Sequence, residues 1–213
     1  MDSFTELRRM MVDCQLRTYD VTDRAVLAAA DRVPREAFVP AELSHLAYLD
    51  QSVALPGTSR ALMTPMVIVR MIQMLSIQPG ERVLEYGGGT GYGAALMADM
   101  GAVATLWEPD AAALDQARGA LAQAGAVGVT LSATRPAESH FDAILVSGAC
   151  ETIPESLFGL VSDNGRLILV EGQGRAARVQ LYQKSAQSMS ARPVFDAAAP
   201  VLEEFRRVPS FEF

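Results

Sequence analysis

A glycine-rich turn carries the strongest chemical signal in the sequence. It reads Glu85-Tyr86-Gly87-Gly88-Gly89-Thr90-Gly91, in the pattern Glu-x-Gly-x-Gly-x-Gly. The glycines at Gly87, Gly89 and Gly91 permit positive φ angles and a close approach of a ligand to the backbone. The carboxylate of Glu85 repels a pyrophosphate but attracts a cationic group such as an α-amino group or a sulfonium. The turn therefore favours a cationic ligand.

A second carboxylate, Glu108, lies at the end of the next predicted strand, 21 positions after Gly87. A carboxylate at this point can accept both ribose hydroxyls of a nucleoside. Together the two carboxylates and the glycine turn favour S-adenosylmethionine (AdoMet) over NAD. The usual dinucleotide pattern Gly-x-Gly-x-x-Gly is matched only by forcing Gly89, Gly91 and Ala94 into it. NAD binding and a turn that merely packs a strand on a helix stay open as alternatives.

The elements around the turn predict an α/β fold with a doubly wound, mostly parallel sheet. Five apolar runs predict strands, at residues 82–86, 102–107, 127–132, 141–146 and 166–170. Three segments between them predict helices, at residues 92–100, 109–124 and 153–161. Strands that alternate with helices imply a parallel sheet with helices on both faces, and ligands bind at the carboxyl ends of such strands.

We predict a single domain in three parts. Residues 1–75 form a mainly helical layer over the cleft, in which Asp23 or Thr22 caps one helix and Pro65 opens another. Residues 76–178 form the AdoMet-binding core. Residues 179–213 predict antiparallel edge strands that close the sheet: Val179-Gln180-Leu181-Tyr182 alternates in period two, and the end of the segment carries Phe205, Phe211 and Phe213.

The composition argues against several functional classes. The chain has 213 residues and a net charge of -7, with no run of lysines or arginines, which speaks against nucleic acid as the main partner. Charges or glycines interrupt every apolar run before the ~20 residues that a membrane span needs. The first residues lack the pattern of a signal peptide. Two cysteines and two histidines supply no zinc cluster, so no metal is expected. We expect a cytoplasmic protein without a membrane partner.

Four further blocks form a connected set: Met11-Val12-Asp13-Cys14-Gln15-Leu16, Val33-Pro34-Arg35-Glu36-Ala37-Phe38-Val39-Pro40, Ala47-Tyr48-Leu49-Asp50 and Pro79-Gly80-Glu81-Arg82-Val83-Leu84-Glu85. With the glycine turn, these blocks resemble the motifs of the protein-L-isoaspartate (D-aspartate) O-methyltransferases. The resemblance runs from about Met11 to Val170. Its specific part is the Val-Pro-Arg-Glu block, because ordinary methyltransferases lack it.

The resemblance implies a class I AdoMet-dependent methyltransferase, with a Rossmann-like doubly wound sheet and an added N-terminal helical wall. It implies that AdoMet is held by Glu85, Gly87, Gly89, Gly91 and Glu108, and leaves as S-adenosylhomocysteine. The implied reaction transfers a methyl group to an isoaspartyl carboxylate in damaged proteins, which is a step of protein repair.

Three stretches depart from the family's pattern: a loop before the glycine turn, the turn after the third strand, and the C-terminal tail, which does not match closely. The family has Thr-Ile-Ser-x-Pro before the glycine turn, and its serine is tied to activity on the isoaspartyl carboxylate. This chain has Ala61-Leu62-Met63-Thr64-Pro65, with Met63 at the serine position. Met63 and Thr64 are therefore the candidate acceptor-side residues, and Thr64 or Ser59 can replace the hydroxyl only if the loop shifts. The family's Gly-Asp-Gly turn, which faces the adenine, corresponds to Ser132-Ala133-Thr134-Arg135-Pro136, without an aspartate.

Three functions stay open at this point. The first is an isoaspartyl methyltransferase with a remodelled loop, acting on isoaspartyl peptides or proteins. The second is a methyltransferase on another small or peptide carboxylate or hydroxyl. The third is a protein that keeps the fold but serves as a non-catalytic binding module. The sequence decides neither the true acceptor nor the choice between a monomer and a homodimer.

Overall fold

The structure, a computed structural model, describes residues 3–137, 140–186 and 188–208. Two helices open the chain, α1 (Phe4–Met10) and α2 (Arg24–Arg32). Residues 11–19 join them in π-helical and 3-10 turns. Asp23 caps α2, because its carboxylate accepts hydrogen bonds from the backbone N–H groups of Ala25 and Val26 at 2.8 and 3.1 Å. This is the helix start that the sequence predicts.

A short hairpin precedes the third helix. Strands β1 (Val53–Ala54) and β2 (Ala61–Leu62) pair antiparallel. They lie within residues 50–64, a stretch without strand periodicity. Helix α3 (Pro65–Leu75) then begins at a proline, whose missing N–H costs nothing in a first turn.

A seven-stranded sheet forms the centre of the molecule. Its strands in chain order are β3 (Arg82–Tyr86), β4 (Val103–Trp107), β5 (Val129–Ser132), β6 (Phe141–Cys150), β7 (Val161–Glu171), β8 (Arg178–Ser185) and β9 (Ser188–Asp196). Their order across the sheet is β5-β4-β3-β6-β7-β8-β9. Strands β3 to β7 are parallel to one another, whereas β8 pairs antiparallel with β7, and β9 pairs antiparallel with β8 at the edge of the sheet. The predicted mostly parallel sheet with antiparallel C-terminal strands is confirmed.

Three helices connect the parallel strands: α4 (Tyr92–Asp99), α5 (Ala111–Gln123) and α6 (Glu155–Phe158). The helix predicted over residues 153–161 is wrong in extent. Helix α6 ends at Phe158 with Gly159 as its C-cap, and Val161 already belongs to β7, where it pairs with Phe141. Glycine is a poor helix former, and the buried Leu160 and Val161 pack in the core of the sheet instead.

Core side chains alternate between the two faces of the sheet. One cluster holds Val83, Leu145 and Ile168, together with residues of α3, α4, α5 and the N-terminal layer. The other holds Leu84, Ile144 and Leu167, together with α6 and part of the C-terminal segment. Strands buried on both faces are typical of a doubly wound fold.

Among the described residues, no helix combines the length and the apolar character that crossing a bilayer requires. Phe211 and Phe213, which the sequence assigns to the tail, lie outside the described residues. The division of the chain at residues 75 and 178 stays a prediction.

Candidate functional site

The glycine turn lies at the carboxyl end of β3, in the centre of the sheet. Gly87, Gly89 and Gly91 have φ angles of 66°, 59° and 83°, a region that favours glycine. Gly91 then precedes the first residue of α4. A Cβ atom at Gly88 would lie 2.3 Å from the carboxyl carbon of Glu85. The turn therefore places the predicted glycines at the carboxyl edge of the sheet, in a conformation that side chains would block.

Glu85 lies beneath this turn and is fully buried. Its carboxylate accepts hydrogen bonds from the backbone N–H of Ala94 and from the hydroxyl of Ser147, each at 2.6 Å. Burial, with a further contribution from Glu108, raises the pKa of Glu85 to about 7. Glu85 thus stabilises the turn from the core side, through its hydrogen bond with the N–H of Ala94. That Glu85 attracts the cationic group of a ligand stays a prediction.

Glu108 lies just beyond β4 and meets the glycine turn. One carboxylate oxygen accepts a hydrogen bond from the N–H of Gly89 at 2.8 Å. The other accepts from the N–H of Asp110 at 2.9 Å and from Nε of Arg60 at 2.8 Å. Burial raises the pKa of Glu108 above its ordinary value, although Arg60 opposes this change. The structure therefore brings together the second carboxylate and the turn, as their positions in the sequence suggest.

Arg60 is a site residue that the sequence analysis missed. Its side chain is only 2% exposed and pairs with two carboxylates. Besides Glu108, it donates from its two terminal nitrogens to Glu204 at 3.0 and 2.7 Å. Burial lowers the pKa of Arg60, but the two carboxylates raise it more, so the guanidinium stays charged. Glu204 is 144 positions away in the sequence, and no local sequence pattern predicts such a contact.

A C-terminal segment, residues 200–205, lies across the turn; we call it the strap. The carbonyl of Pro200 accepts from the N–H of Ala149 at 2.8 Å, and the N–H of Leu202 donates to the carbonyl of Ala149 at 3.0 Å. The Leu202 side chain packs so closely that a Cβ at Gly87 would lie 3.1 Å from it, and one at Gly148 only 2.6 Å. The strap therefore covers the first glycine of the turn.

The strap is also packed by aromatic side chains. The rings of Phe205 and Tyr86 have centroids 5.5 Å apart, and Tyr86 contacts Trp107 edge-on at 4.9 Å. The Tyr86 hydroxyl donates to Glu204 at 2.9 Å. Burial, with a further contribution from Glu204, raises the pKa of Tyr86 above its ordinary range, so this hydroxyl keeps its proton.

The loop that departs from the family pattern lies at the start of α3. Met63 is buried, and its carbonyl accepts a hydrogen bond at 2.5 Å from Arg35, which is itself fully buried. The Thr64 hydroxyl is buried and has no hydrogen-bond partner among the described residues. The N–H and hydroxyl of Ser59 both donate to Asp110, at 2.7 and 2.8 Å. Of the two nearby hydroxyls, Thr64 is therefore the uncommitted one.

On the predicted adenine side, Ser132 ends β5 and donates from its hydroxyl to the carbonyl of Thr134 at 2.6 Å. The carbonyl of Ser132 also accepts from the N–H of Glu108 at 2.9 Å. This turn offers backbone and hydroxyl groups but no carboxylate between residues 132 and 136. Among the described residues, no group of three histidines, cysteines or carboxylates could hold a metal ion.

The chemistry of these residues fits AdoMet. The turn admits a close approach to its backbone, and Glu108 is a carboxylate able to accept two hydroxyl protons. However, Arg60 bonds to this carboxylate and Leu202 lies on Gly87. The site therefore fits the cofactor once these two side chains have moved away.

Residues 7–198 match the sequence model of a protein family described as protein-L-isoaspartate (D-aspartate) O-methyltransferase. The protein-L-isoaspartate O-methyltransferase of Methylorubrum extorquens (strain PA1) is 42% identical over 174 residues, which cover 78% of this chain and 75% of that protein. Protein-L-isoaspartate O-methyltransferase 1 of Rhodopseudomonas palustris (strain HaA2) is 34% identical over 201 residues, which cover 91% and 82%.

Two solved structures share the fold. One is described as a protein-L-isoaspartate O-methyltransferase; it gives a TM-score of 0.77 at 22% identity, over 92% of this chain and 65% of that longer chain. The other, from Plasmodium falciparum, is described as such an enzyme in complex with S-adenosyl-L-homocysteine. It gives a TM-score of 0.75 at 18% identity, over 96% of this chain and 100% of that chain.

Proposed function

Because the chain belongs to the protein-L-isoaspartate (D-aspartate) O-methyltransferase family, we propose that it methylates isoaspartyl carboxylates in damaged proteins or peptides. The methyl donor of this AdoMet-dependent family is AdoMet, which when bound supplies an activated methyl group on its sulfonium. The main structural support for the proposal is the contact between Glu108 and the glycine turn, where the carboxylate accepts a hydrogen bond from the N–H of Gly89 at 2.8 Å.

The chain's own residues have a positioning task. An isoaspartyl carboxylate is already ionised near neutral pH, so the reaction needs no general base. The protein must align the acceptor oxygen with the methyl carbon and exclude water. In this proposal Glu108 holds the ribose hydroxyls, and Gly87, Gly89 and Gly91 admit the ligand to the backbone. Glu85 faces the amino-acid end, directly or through the turn that it supports.

The acceptor loop supports a slower reaction than that of serine-bearing relatives. Met63 offers no hydroxyl at the serine position, and its side chain is buried. Thr64 has a hydroxyl without a partner among the described residues, and it can hold the acceptor carboxylate only after the loop moves. Losing one positioning hydrogen bond to a charged group costs about 1.5–3 kcal/mol, or about tenfold to a hundredfold in rate.

Calorimetric titration with S-adenosylhomocysteine tests the cofactor site. We expect measurable binding to the unaltered protein, and about tenfold to a hundredfold weaker binding to Glu108→Gln, which removes the charge from the ribose acceptor. Glu155→Gln, an exposed carboxylate at the start of α6, is the matched control and should bind normally. Because Glu108→Gln also loses its charge-assisted bond to Arg60, the comparison is repeated in Arg60→Gln. Equal affinity with and without Glu108→Gln in that background would refute the assigned role of Glu108.

Transfer of a labelled methyl group tests the acceptor. Two peptides of identical sequence are compared, one with an isoaspartyl and one with an ordinary aspartyl residue. We expect base-labile label on the isoaspartyl peptide only, at a rate below that of a serine-bearing relative. Label on both peptides, or on neither while S-adenosylhomocysteine binds, would favour a methyltransferase on another acceptor.

One observation favours a second candidate, the non-catalytic module. The turn is covered by Leu202, and its ribose carboxylate is bonded by Arg60. A protein that had lost cofactor binding could keep this closed arrangement permanently. A complete absence of binding at millimolar S-adenosylhomocysteine would select this candidate.

The expected cytoplasmic location stays a prediction.

A further inference from the structure

We propose that Arg60 and the strap form an intramolecular latch on the AdoMet site. In the closed state, Arg60 is hydrogen-bonded to Glu108, the carboxylate that would accept the ribose hydroxyls, and the Leu202 side chain fills the space over Gly87. AdoMet then binds only when Arg60 has moved away from Glu108 and Leu202 has moved away from Gly87. This inference rests on the proposed cofactor role of the turn and adds a device that controls access to it.

The first support is the hydrogen bonding of Glu108. Its two oxygens already accept from Arg60, Asp110 and the N–H of Gly89, and the residue has no exposed surface. The two backbone donors belong to the turns beside the site and can remain when a ligand binds. Arg60 is the one side chain among these donors. A ribose that reaches this carboxylate must therefore displace the guanidinium.

The second support is that the strap itself holds Arg60 in place. Glu204 accepts from two nitrogens of Arg60, at 3.0 and 2.7 Å, while the third nitrogen donates to Glu108. Such a two-nitrogen pairing of arginine with a carboxylate fixes the orientation of both groups. Arg60 therefore connects the strap to the end of β4, so that opening the strap weakens the hold on Glu108.

The third support is the position of Leu202. Its side chain lies within van der Waals contact of both Gly87 and Gly148, where a Cβ atom would already be crowded. The strap backbone is fixed by the pair of hydrogen bonds to Ala149. The Leu202 side chain and a ligand on the backbone of Gly87 would occupy the same space, so each excludes the other. Cofactor binding and strap closure are thus linked equilibria.

The energetic consequence is a reduced apparent affinity. A ligand that binds only the open state loses affinity in proportion to the fraction of open molecules. After release from Glu108, the guanidinium keeps Glu204 as its counter-charge, and Glu108 keeps the hydrogen bonds from the N–H groups of Gly89 and Asp110. Opening therefore costs the Arg60–Glu108 bond but leaves neither group without a partner, and this cost favours the closed state until the ribose hydroxyls bond to Glu108.

The test compares S-adenosylhomocysteine binding by four full-length proteins: the unaltered chain, Arg60→Gln, Glu204→Gln and Glu203→Gln. We expect Arg60→Gln to bind about tenfold to a hundredfold more tightly, because the competing charge-assisted bond is gone. Glu204→Gln should bind more tightly and associate faster. Glu203 is the neighbouring carboxylate, and its partner is Arg206, so Glu203→Gln is the matched control and should match the unaltered chain.

A second measurement follows the strap directly. Hydrogen exchange at the amides of Leu202 and Ala149 should accelerate when S-adenosylhomocysteine is added to the unaltered chain, and should already be fast without ligand in Glu204→Gln. This readout needs no catalysis. It also keeps the proposal testable if Arg60→Gln fails to fold.

The outcomes separate the latch from the proposed function. If the unaltered chain, Arg60→Gln and Glu204→Gln bind equally and exchange is unchanged, the latch is wrong and the cofactor role stands. If Glu203→Gln behaves like Glu204→Gln, the effect is one of general charge and the latch is also wrong. If neither the unaltered chain nor the opened variants bind at millimolar concentration, both the latch and the proposed function fail.

Discussion

The two sides of the cleft are built in different ways. The cofactor side, which is the glycine turn with Glu85 and Glu108, is held at strand ends by bonds to nearby backbone and, in addition, by side-chain bonds from Ser147 and Arg60. The carboxylates there bond to N–H groups 9 and 19 positions away in the sequence. The acceptor side, residues 59–65 with the strap, is held by side-chain bonds across 28 and 144 positions.

The glycine turn keeps the family's glycines and carboxylates, because the same residues close the turn and support the sheet. On the adenine side, by contrast, Ser132-Ala133-Thr134-Arg135-Pro136 lacks the aspartate of the family's Gly-Asp-Gly turn. On the acceptor side, substitution of a hydroxyl by Met63 changes the chemistry offered to the acceptor while the parallel sheet remains intact. The acceptor side can therefore be remodelled without loss of the fold. Three substitutions test this contrast.

The largest effect is expected at Met63. Replacing this buried side chain by serine removes apolar packing and should lower the free energy of unfolding by about 2–5 kcal/mol. Methylation of an isoaspartyl peptide, counted per folded molecule, should rise several-fold because a hydroxyl returns to the loop. Denaturation in urea and the peptide assay measure the two quantities.

Met63→Leu is the matched control for this substitution. It keeps the volume and should cost less than about 1.5 kcal/mol, with no gain in methylation. A gain in Met63→Leu equal to that in Met63→Ser would show that loss of the methionine side chain, not the added hydroxyl, raises the rate. No gain in either variant would mean that Met63 does not correspond to the family's serine.

The second effect concerns pH and the cofactor side. Burial raises the pKa of Glu85 from 4.5 to about 7, so the folded state favours the protonated form. The raised pKa therefore makes its whole contribution to the free energy of unfolding below about pH 4.5, and this contribution is lost as the pH rises through about 7. The total is about 3 kcal/mol, at about 1.4 kcal/mol for each pKa unit.

Glu85→Gln isolates this contribution. The amide stays neutral, so the variant should be more stable than the unaltered protein at pH 8.5 by up to about 3 kcal/mol. The two unfolding free energies should converge near pH 4.5, where both side chains are neutral. A constant difference across the whole pH range would mean that Glu85 titrates normally in the folded protein.

The third and smallest effect tests the close packing under the glycine turn. A Cβ atom at Gly93 would lie 2.4 Å from a carboxylate oxygen of Glu85, so Gly93→Ala should destabilise the protein by about 1–3 kcal/mol. Gly119 lies on the exposed side of α5 with nothing within 4 Å of such an atom. Gly119→Ala should therefore stabilise slightly, by about 0.5–1 kcal/mol, because alanine is the better helix former. Thermal unfolding of Gly93→Ala and Gly119→Ala measures both effects. Equal changes in melting temperature would contradict the close packing of Gly93 against Glu85.

The sequence by itself determined the parts of this protein that depend on neighbouring residues. The strand Arg82–Tyr86 agrees with its prediction residue for residue, and the glycine turn follows it directly. Hydrophobic runs and glycine spacing express local backbone preferences, so they can be read without knowledge of the fold. The same holds for Glu108, whose place at the end of the next strand puts it beside the turn in a parallel sheet.

Only the tertiary structure decided what lies over that turn. Arg60 lies beside the acceptor loop in the sequence, but nothing there indicates that it contacts Glu108 on the cofactor side, and its other partner, Glu204, is 144 positions away. Likewise, the spacing of Glu85 indicates a carboxylate near the ligand, but its burial and its bond to Ser147 depend on the packing of β3 against β6. Contacts across many positions follow from the global topology, and local patterns carry no record of them.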